Sequence, residues 1–170
     1  MRQQIVVSGL GGQGVLFLTR VIAEAALRRG AAVLTAETHG MAQRGGSVLS
    51  TIKVGVFHSP LIARGAADLG LFLAAENLPV HGPLLREGGA LVVGTTQPGA
   101  YRAVDAAGIA RELGAPVLAN LVLLGAAVAD DLLCVGRPDI EATIRAISPP
   151  KLVAANLAAF HRGLALAGDR

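Results

Sequence analysis

The sequence predicts an α/β fold, a three-layer sandwich around a mostly parallel, Rossmann-like sheet. Short apolar runs such as Ile5-Val6-Val7-Ser8 are suited to buried parallel strands. They alternate along the chain with stretches of helical periodicity, the order of elements that builds a parallel sheet. Glycine clusters follow two of the early strands, where open α/β sheets bind ligands. At 170 residues the chain makes a single domain over positions 1–170, long enough to bury a substantial core.

The first strand runs into Gly9-Leu10-Gly11-Gly12-Gln13-Gly14, and a helix spans Gly14 to Arg29. Arg20, Glu24 and Arg28 recur every four residues and mark its wet face, leaving Val15, Leu18, Val21, Ile22 and Leu27 to face the sheet. Gly30 is placed to cap it. Ala32 to Ala36 is the second strand, completing a right-handed βαβ unit. Val48 to Val54 alternates apolar and polar positions and predicts an antiparallel strand nearer an edge. Further strands are expected at Leu69–Leu73, at Ala90–Val93 and, briefly, near Val117. Pro79 and Pro83 limit any helix between Asn77 and Leu85 to a short one. Helices are expected at Ala106–Leu113, Leu121–Ala129, Ile140–Ile147 and Val153–Leu166. Those from about Leu121 onward have no strand partners and are expected to pack on one face or on another chain.

Charged residues are 16% of the chain and hydrophobic ones 52%, a balance that leaves apolar surface for a partner or reflects an Ala-, Gly- and Arg-rich composition. Net charge is +3, the arginines are scattered, and only four Phe and one Tyr could stack on bases, so nucleic acid is not an expected partner. The single cysteine, Cys134, can neither close an internal disulfide nor hold an iron–sulfur cluster, and reads as a buried filler. No secretory leader is expected, and the longest apolar stretch, Val117–Ala129, is too short to span a bilayer. These features predict a cytoplasmic protein without membrane contact.

Gly9, Gly11 and Gly14 satisfy G-x-G-x-x-G between a strand and a helix, a turn that presents backbone N–H groups to anions. Glu37 falls where dinucleotide-binding folds place the acid that holds a ribose. A freestanding NAD(P)-binding dehydrogenase or redox sensor is therefore one open reading, and a purely structural glycine turn is another. The second segment, Glu37-Thr38-His39-Gly40-Met41-Ala42-Gln43-Arg44-Gly45-Gly46-Ser47, fits a nucleotide site less well. It gathers an acid–base group (His39), an amide (Gln43) and a guanidinium fork (Arg44) among glycines that let backbone approach a ligand. Arg44 is suited to grip a phosphate or carboxylate, or to brace the loop by pairing with Glu37. The histidines show no metal-ligand spacing, and no serine sits in a nucleophile elbow. Hydride transfer would need a substrate domain for which the chain has no room.

These motifs together resemble one family. The string from Gly9 to Val15, Ala23-Glu24-Ala25-Ala26, the segment Glu37 to Ser47 and Ser59-Pro60-Leu61-Ile62 are similar to the gamma-type subunits of the 2-oxoacid:ferredoxin oxidoreductases, which include pyruvate and ketoisovalerate enzymes. The His39 to Gly46 wording lies nearest the indolepyruvate branch, and Asn120–Ala126 and Lys151–Gly163 resemble later family segments. The resemblance implies a part in the oxidative decarboxylation of a 2-oxoacid, with coenzyme A taking the acyl group and electrons passing to ferredoxin. It implies that thiamine diphosphate, Mg and iron–sulfur clusters reside on larger partner subunits, that coenzyme A binds at a shared site, and that this chain is inactive alone. The vacant partner surface also leaves room for a homodimer of isolated copies, which need not be physiological. Carried over by position, Gly9, Gly11, Gly12, Gln13 and Gly14 would form the anion-binding turn. His39, Gln43 and Arg44 would serve catalysis, with Glu37, Gly45, Gly46 and Ser47 lining the cofactor side.

Overall fold

Ile5, Val6 and Val7 are fully buried, and the strand they anchor, β1, runs from Gln3 to Leu10 at the interior of a six-stranded sheet. The structure is a computed structural model and describes residues 1–40 and 45–167. The other strands are β2 (Val33–His39), β3 (Ser47–Val54), β4 (Ala67–Phe72), β5 (Leu85–Gly94) and β6 (Arg102–Val104). The helices among the described residues are α1 (Val15–Arg28), α2 (Leu78–His81), α3 (Ala106–Glu112), α4 (Ala119–Ala129), α5 (Arg137–Ile147) and α6 (Val153–Leu164). Strand order is β2-β3-β1-β4-β5-β6. Only β3 runs against its neighbours, so the other five strands point one way and their carboxyl ends share an edge.

The chain leaves β1 toward β2 and later leaves β4 toward β5. Right-handed connections in opposite directions land on opposite faces. Thus α1 covers one face, while α2 and its flanking 3-10 turns (75–77 and 82–84) cover the other. Helices α3 to α6 return to the α1 face, where they share a core with Ile5, Val7, Leu69, Leu71 and Val92. The opposite layer is thin, with Val6, Phe72 and Val93 packed under Ile62, Leu78 and Leu84. The sandwich is three-layered but lopsided.

Several boundaries differ from expectation for physical reasons. The antiparallel strand β3 lies one strand in from the edge, between β1 and β2, and the edge itself belongs to β2. Its polar residues suggest exposure, yet Ser50 and Thr51 are buried, with the Thr51 hydroxyl donating to the Pro60 carbonyl at 3.0 Å. Lys53 buries its stem and carries its ammonium 5.0 Å from the Phe57 ring centre. No strand forms near Val117, because Pro116 has no N–H to give a ladder and instead opens a 3-10 turn into α4. The short β6 escapes notice because three residues carry no readable alternation. Leu27 does not face the sheet but is 49% exposed, falling on the Arg20–Glu24 stripe at helical spacing, and Ala25 and Ala26 take the buried positions. Gly30 does cap α1: at φ 77° its N–H reaches the Leu27 carbonyl, and Ala31 N–H reaches that of Ala26.

The C-terminal helices find their partners within the chain. Helix α4 is buried on nearly every side from Asn120 to Val128, as expected of a helix apolar all round. It is pressed between the sheet and α6 where Gly125 meets Gly163. A Cβ on Gly163 would stand 2.9 Å from the Gly125 Cα and closer still to the Val122 carbonyl oxygen. Among the described residues, no helix is long and apolar enough to cross a membrane. Because backbone blocks backbone at this crossing, Gly163→Ala is expected to lower unfolding free energy by roughly 1–3 kcal/mol, read as a lower urea midpoint at unchanged slope.

Candidate functional site at the carboxyl edge of the sheet

The turn after β1 is built to bring backbone close to open space. Gly12 and Gly14 have φ of 90° and 78°, a left-handed conformation that favours glycine. The Gln13 N–H closes the turn onto the Leu10 carbonyl at 3.1 Å, and the Gln13 Oε1 accepts the Leu10 N–H at 2.7 Å. The Gln13 carboxamide oxygen therefore braces the turn. Gly9 serves packing, since a Cβ there would sit 2.8 Å from Val15 Cγ2 and 3.1 Å from Leu73 Cβ. Gly12 is different, because a Cβ on it would meet nothing within 4 Å. The first bond of α1 links Leu18 N–H to the Gly14 carbonyl, which leaves the preceding N–H groups without intrahelical acceptors. The first turn of α1 carries no acidic residue and Gly14 supplies no side-chain cap, so the positive helix end is open to an anion.

The second glycine segment joins the first directly. Gly11 N–H donates to the Gly46 carbonyl at 2.9 Å, Leu10 pairs with Ser47 in the β1–β3 ladder, and Gly40 N–H donates to the Ser47 carbonyl at 2.7 Å. Gly45 takes φ 62°. Exposed His39, the last residue of β2, stands at the rim of a cavity of about 330 Å³. Gly11, Gly12 and Gly14 form part of its lining, and Leu10, Val15, Leu16, Val48 and Val117 give it apolar walls. Glu37 lines an adjoining groove of about 380 Å³ beside Arg20, Leu27 and Thr35, with Leu16 common to both. Gln43 and Arg44 lie outside the described residues, as does any pairing of Arg44 with Glu37.

Behind the turn lie residues that the sequence did not assign to the site. Asn77, next to the end of β4, donates through Nδ2 to the Gly9 carbonyl at 2.8 Å and to Ser8 Oγ at 3.0 Å. Ser8 Oγ lies 2.7 Å from His81 Nδ1. From the opposite face, Asn120 Nδ2 donates to the Gly14 carbonyl at 3.1 Å. Asn120 is visible in the sequence as a lone amide inside the apolar run Val117–Ala129, though not as a partner of the turn; Asn77 stands in no comparable pattern.

Other features lie apart from this edge. A cavity of about 600 Å³ opens where short β6 leaves β5 uncovered, near Tyr101 and the Arg102–Asp130 ion pair of 3.3 Å, and it contains none of the predicted residues. Cys134 is half-buried rather than fully buried. Its N–H donates to Gln3 Oε1 at the amino end of β1, and burial pushes its thiol pKa up. Among the described residues, no group of three His, Cys, Asp or Glu could hold a metal ion.

A mostly parallel sheet with one inserted antiparallel strand, and a strand-end pocket lined by the first glycine turn and His39, defines an α/β ligand-binding domain of the doubly wound class. The family model for pyruvate ferredoxin/flavodoxin oxidoreductase matches residues 4–166, and the chain belongs to that family. It is 33% identical to the indolepyruvate oxidoreductase subunit IorB of Archaeoglobus fulgidus, over 96% of this chain and 94% of that protein. Among solved structures it resembles the gamma subunit of a keto/oxoacid ferredoxin oxidoreductase from Geobacter sulfurreducens, with TM-score 0.79 and 29% identity over 99% of this chain and 100% of that one. It shares its fold, at TM-score 0.79 and 22% identity, with 31% of a longer chain, the 2-oxoglutarate:ferredoxin oxidoreductase from Magnetococcus marinus, solved with 2-oxoglutarate, coenzyme A and succinyl-CoA. The chain is thus a subunit within the 2-oxoacid:ferredoxin oxidoreductase family, and these likenesses support that reading over a freestanding nicotinamide dehydrogenase.

The site carries one titration with a defined sign. Burial holds the His81 pKa below the ordinary value of 6.5. In the neutral ring with the proton on Nε2, Nδ1 can accept a hydrogen bond from the Ser8 hydroxyl. As pH falls, the unfolded chain protonates this histidine first, so stability declines from about pH 6.5 downward until the folded ring also titrates. The urea midpoint is expected to fall between about pH 7 and pH 5, and His81→Gln to flatten that fall. An undiminished slope in the variant would contradict it.

Proposed function

We propose that this chain is the cluster-free subunit that completes the coenzyme side of a thiamine-dependent 2-oxoacid:ferredoxin oxidoreductase. The overall reaction is CoA-dependent oxidative decarboxylation of a 2-oxoacid, with indolepyruvate or another aryl pyruvate as the substrate class. The Gly11–Gly46 backbone bond carries this reading, because it ties the second glycine segment to the turn whose Gly11, Gly12 and Gly14 line a strand-end pocket with His39. Thiamine diphosphate, bound with Mg on a larger subunit, would supply the carbanion chemistry of decarboxylation, and clusters there would pass electrons to ferredoxin. The single cysteine of this chain does not fit a cluster.

The residues present do fit an anionic, partly apolar coenzyme. Free N–H groups at the start of α1 suit a phosphate or an amide carbonyl, and the open side of Gly12 admits close approach. Leu10, Val15, Leu16, Val48 and Val117 suit the aliphatic arm and would exclude water from reactive intermediates. His39 would hold or accept the thiol proton, with Gln43 and Arg44 orienting the substrate carboxylate or a coenzyme phosphate. Gly45, Gly46 and Ser47 shape the loop, and Glu37 borders it. The assembly would work in the cytoplasm, reaching ferredoxin through its larger subunits.

The test is reconstitution with the larger subunit from the native host. His39→Gln is expected to lower kcat/KM for coenzyme A by about a hundredfold, and Gly12→Ala to raise KM for coenzyme A several-fold. A complex that assembles normally and tolerates His39→Gln, Gln43→Ala and Arg44→Ala would make this chain a scaffold. Separately, the isolated chain is expected to show no turnover and no saturable NADH binding, and either activity would overturn the reading.

A further inference from the structure

We propose that Asn77 and Asn120 are positioning residues that grip the first and last glycine carbonyls of the turn from opposite faces of the sheet and thereby aim its free N–H groups into the cavity. This rests on the reading of that cavity as the coenzyme pocket.

The geometry is specific at both ends. A peptide carbonyl can only accept, so the Gly9 and Gly14 oxygens require the amide nitrogen of each asparagine to face them. Asn77 is 6% exposed and Asn120 2%, so an unbonded amide at either position would be costly. Asn77 spends its second hydrogen on Ser8 Oγ, and Asn120 Oδ1 accepts the Leu121 N–H at 2.7 Å. Each carboxamide is thereby oriented.

A peptide unit is planar, with its N–H and C=O pointing opposite ways. Asn120 Nδ2 and Leu18 N–H, at 3.1 and 3.0 Å, hold the Gly14 oxygen toward the protein. The N–H of that same peptide, on Val15, must then point outward from the end of α1, where Val15 and Leu16 line the cavity. At the other end Asn77 holds the Gly9 oxygen, and the N–H of that peptide, on Leu10, is received by Gln13 Oε1. The turn is thus pinned at both ends while Gly12 stays open. Gly14 and Asn120 are matched in size as well, since a Cβ on Gly14 would collide with the Asn120 carboxamide. Packing alone does not call for an amide in α4, which is otherwise apolar.

Asn77→Ala and Asn120→Ala, assayed in the reconstituted complex, are expected to raise KM for coenzyme A about tenfold while kcat and KM for the 2-oxoacid stay within about twofold. Asn156→Ala is the control, because it removes another buried amide bond, to Ser148 Oγ at 2.9 Å, away from the turn. It is expected to leave every kinetic constant in place. An unchanged KM for coenzyme A, or a fall in kcat shared with Asn156→Ala, overturns the positioning role. If His39→Gln and Gly12→Ala weaken coenzyme A use while the asparagine variants do not, positioning alone fails; if none of the four does, the pocket reading fails. Should the variants not assemble, the wild-type complex decides: coenzyme A is expected to slow amide exchange at Val15 and Leu16, and unchanged exchange there overturns the proposal.

Discussion

The placement of one antiparallel strand governs this molecule. With β3 paired to β1 over eight residues and to β2 over seven, Gly46 and Ser47 at the start of β3 are brought beside the end of β1. Had β2 paired directly with β1, as in an ordinary βαβ unit, the glycine turn and Gly46 would not share a backbone hydrogen bond. Register does the rest: Leu10 opposite Ser47 leaves Gly11 and Gly46 in line to exchange an N–H for a carbonyl. The pocket is therefore a consequence of strand pairing, and its apolar walls come from β1, β3 and α1 alike.

The lopsided layering supports that edge. Helices α1 and α3 to α6 occupy one face, and the thin cover of the other brings Asn77 and His81 close under β1. Helix α4 is packed closely on α6 through Gly125 and Gly163, and its first turn carries Asn120. The same helix therefore carries both the α6 contact and the amide that bonds the last carbonyl of the glycine turn. Buried amides are worth retaining only when bonded, and here the acceptors are the backbone atoms of the turn.

The family relationship explains why the chain looks like half of a site. Its pocket presents N–H groups, apolar walls and an imidazole, while its one cysteine lies half-buried at the amino end of the sheet. On the proposed reading the reactive cofactor comes from a larger subunit, and this chain contributes enclosure and orientation. The exposed Leu16 and Leu27, left uncovered along the groove between α1 and β2, belong to the low-charge surface anticipated from composition.

Local signals were enough for the fold class, the strand–turn–helix opening, the Gly30 cap and most helices, because hydrophobic period and glycine punctuation act over a few residues. The two glycine segments were recognisable for the same reason, as were His39, Gly11, Gly12 and Gly14 at the pocket. Tertiary structure alone decided that β3 inserts beside β1, that Leu27 faces outward, that Pro116–Leu118 forms a 3-10 turn, and that Gln13 and Gly9 serve the turn's own bonding and packing. It also decided that Asn77 and Asn120, far apart in the chain, converge on one loop. Pairing partners, register and the destination of a buried amide depend on contacts between distant residues, and no local pattern encodes those.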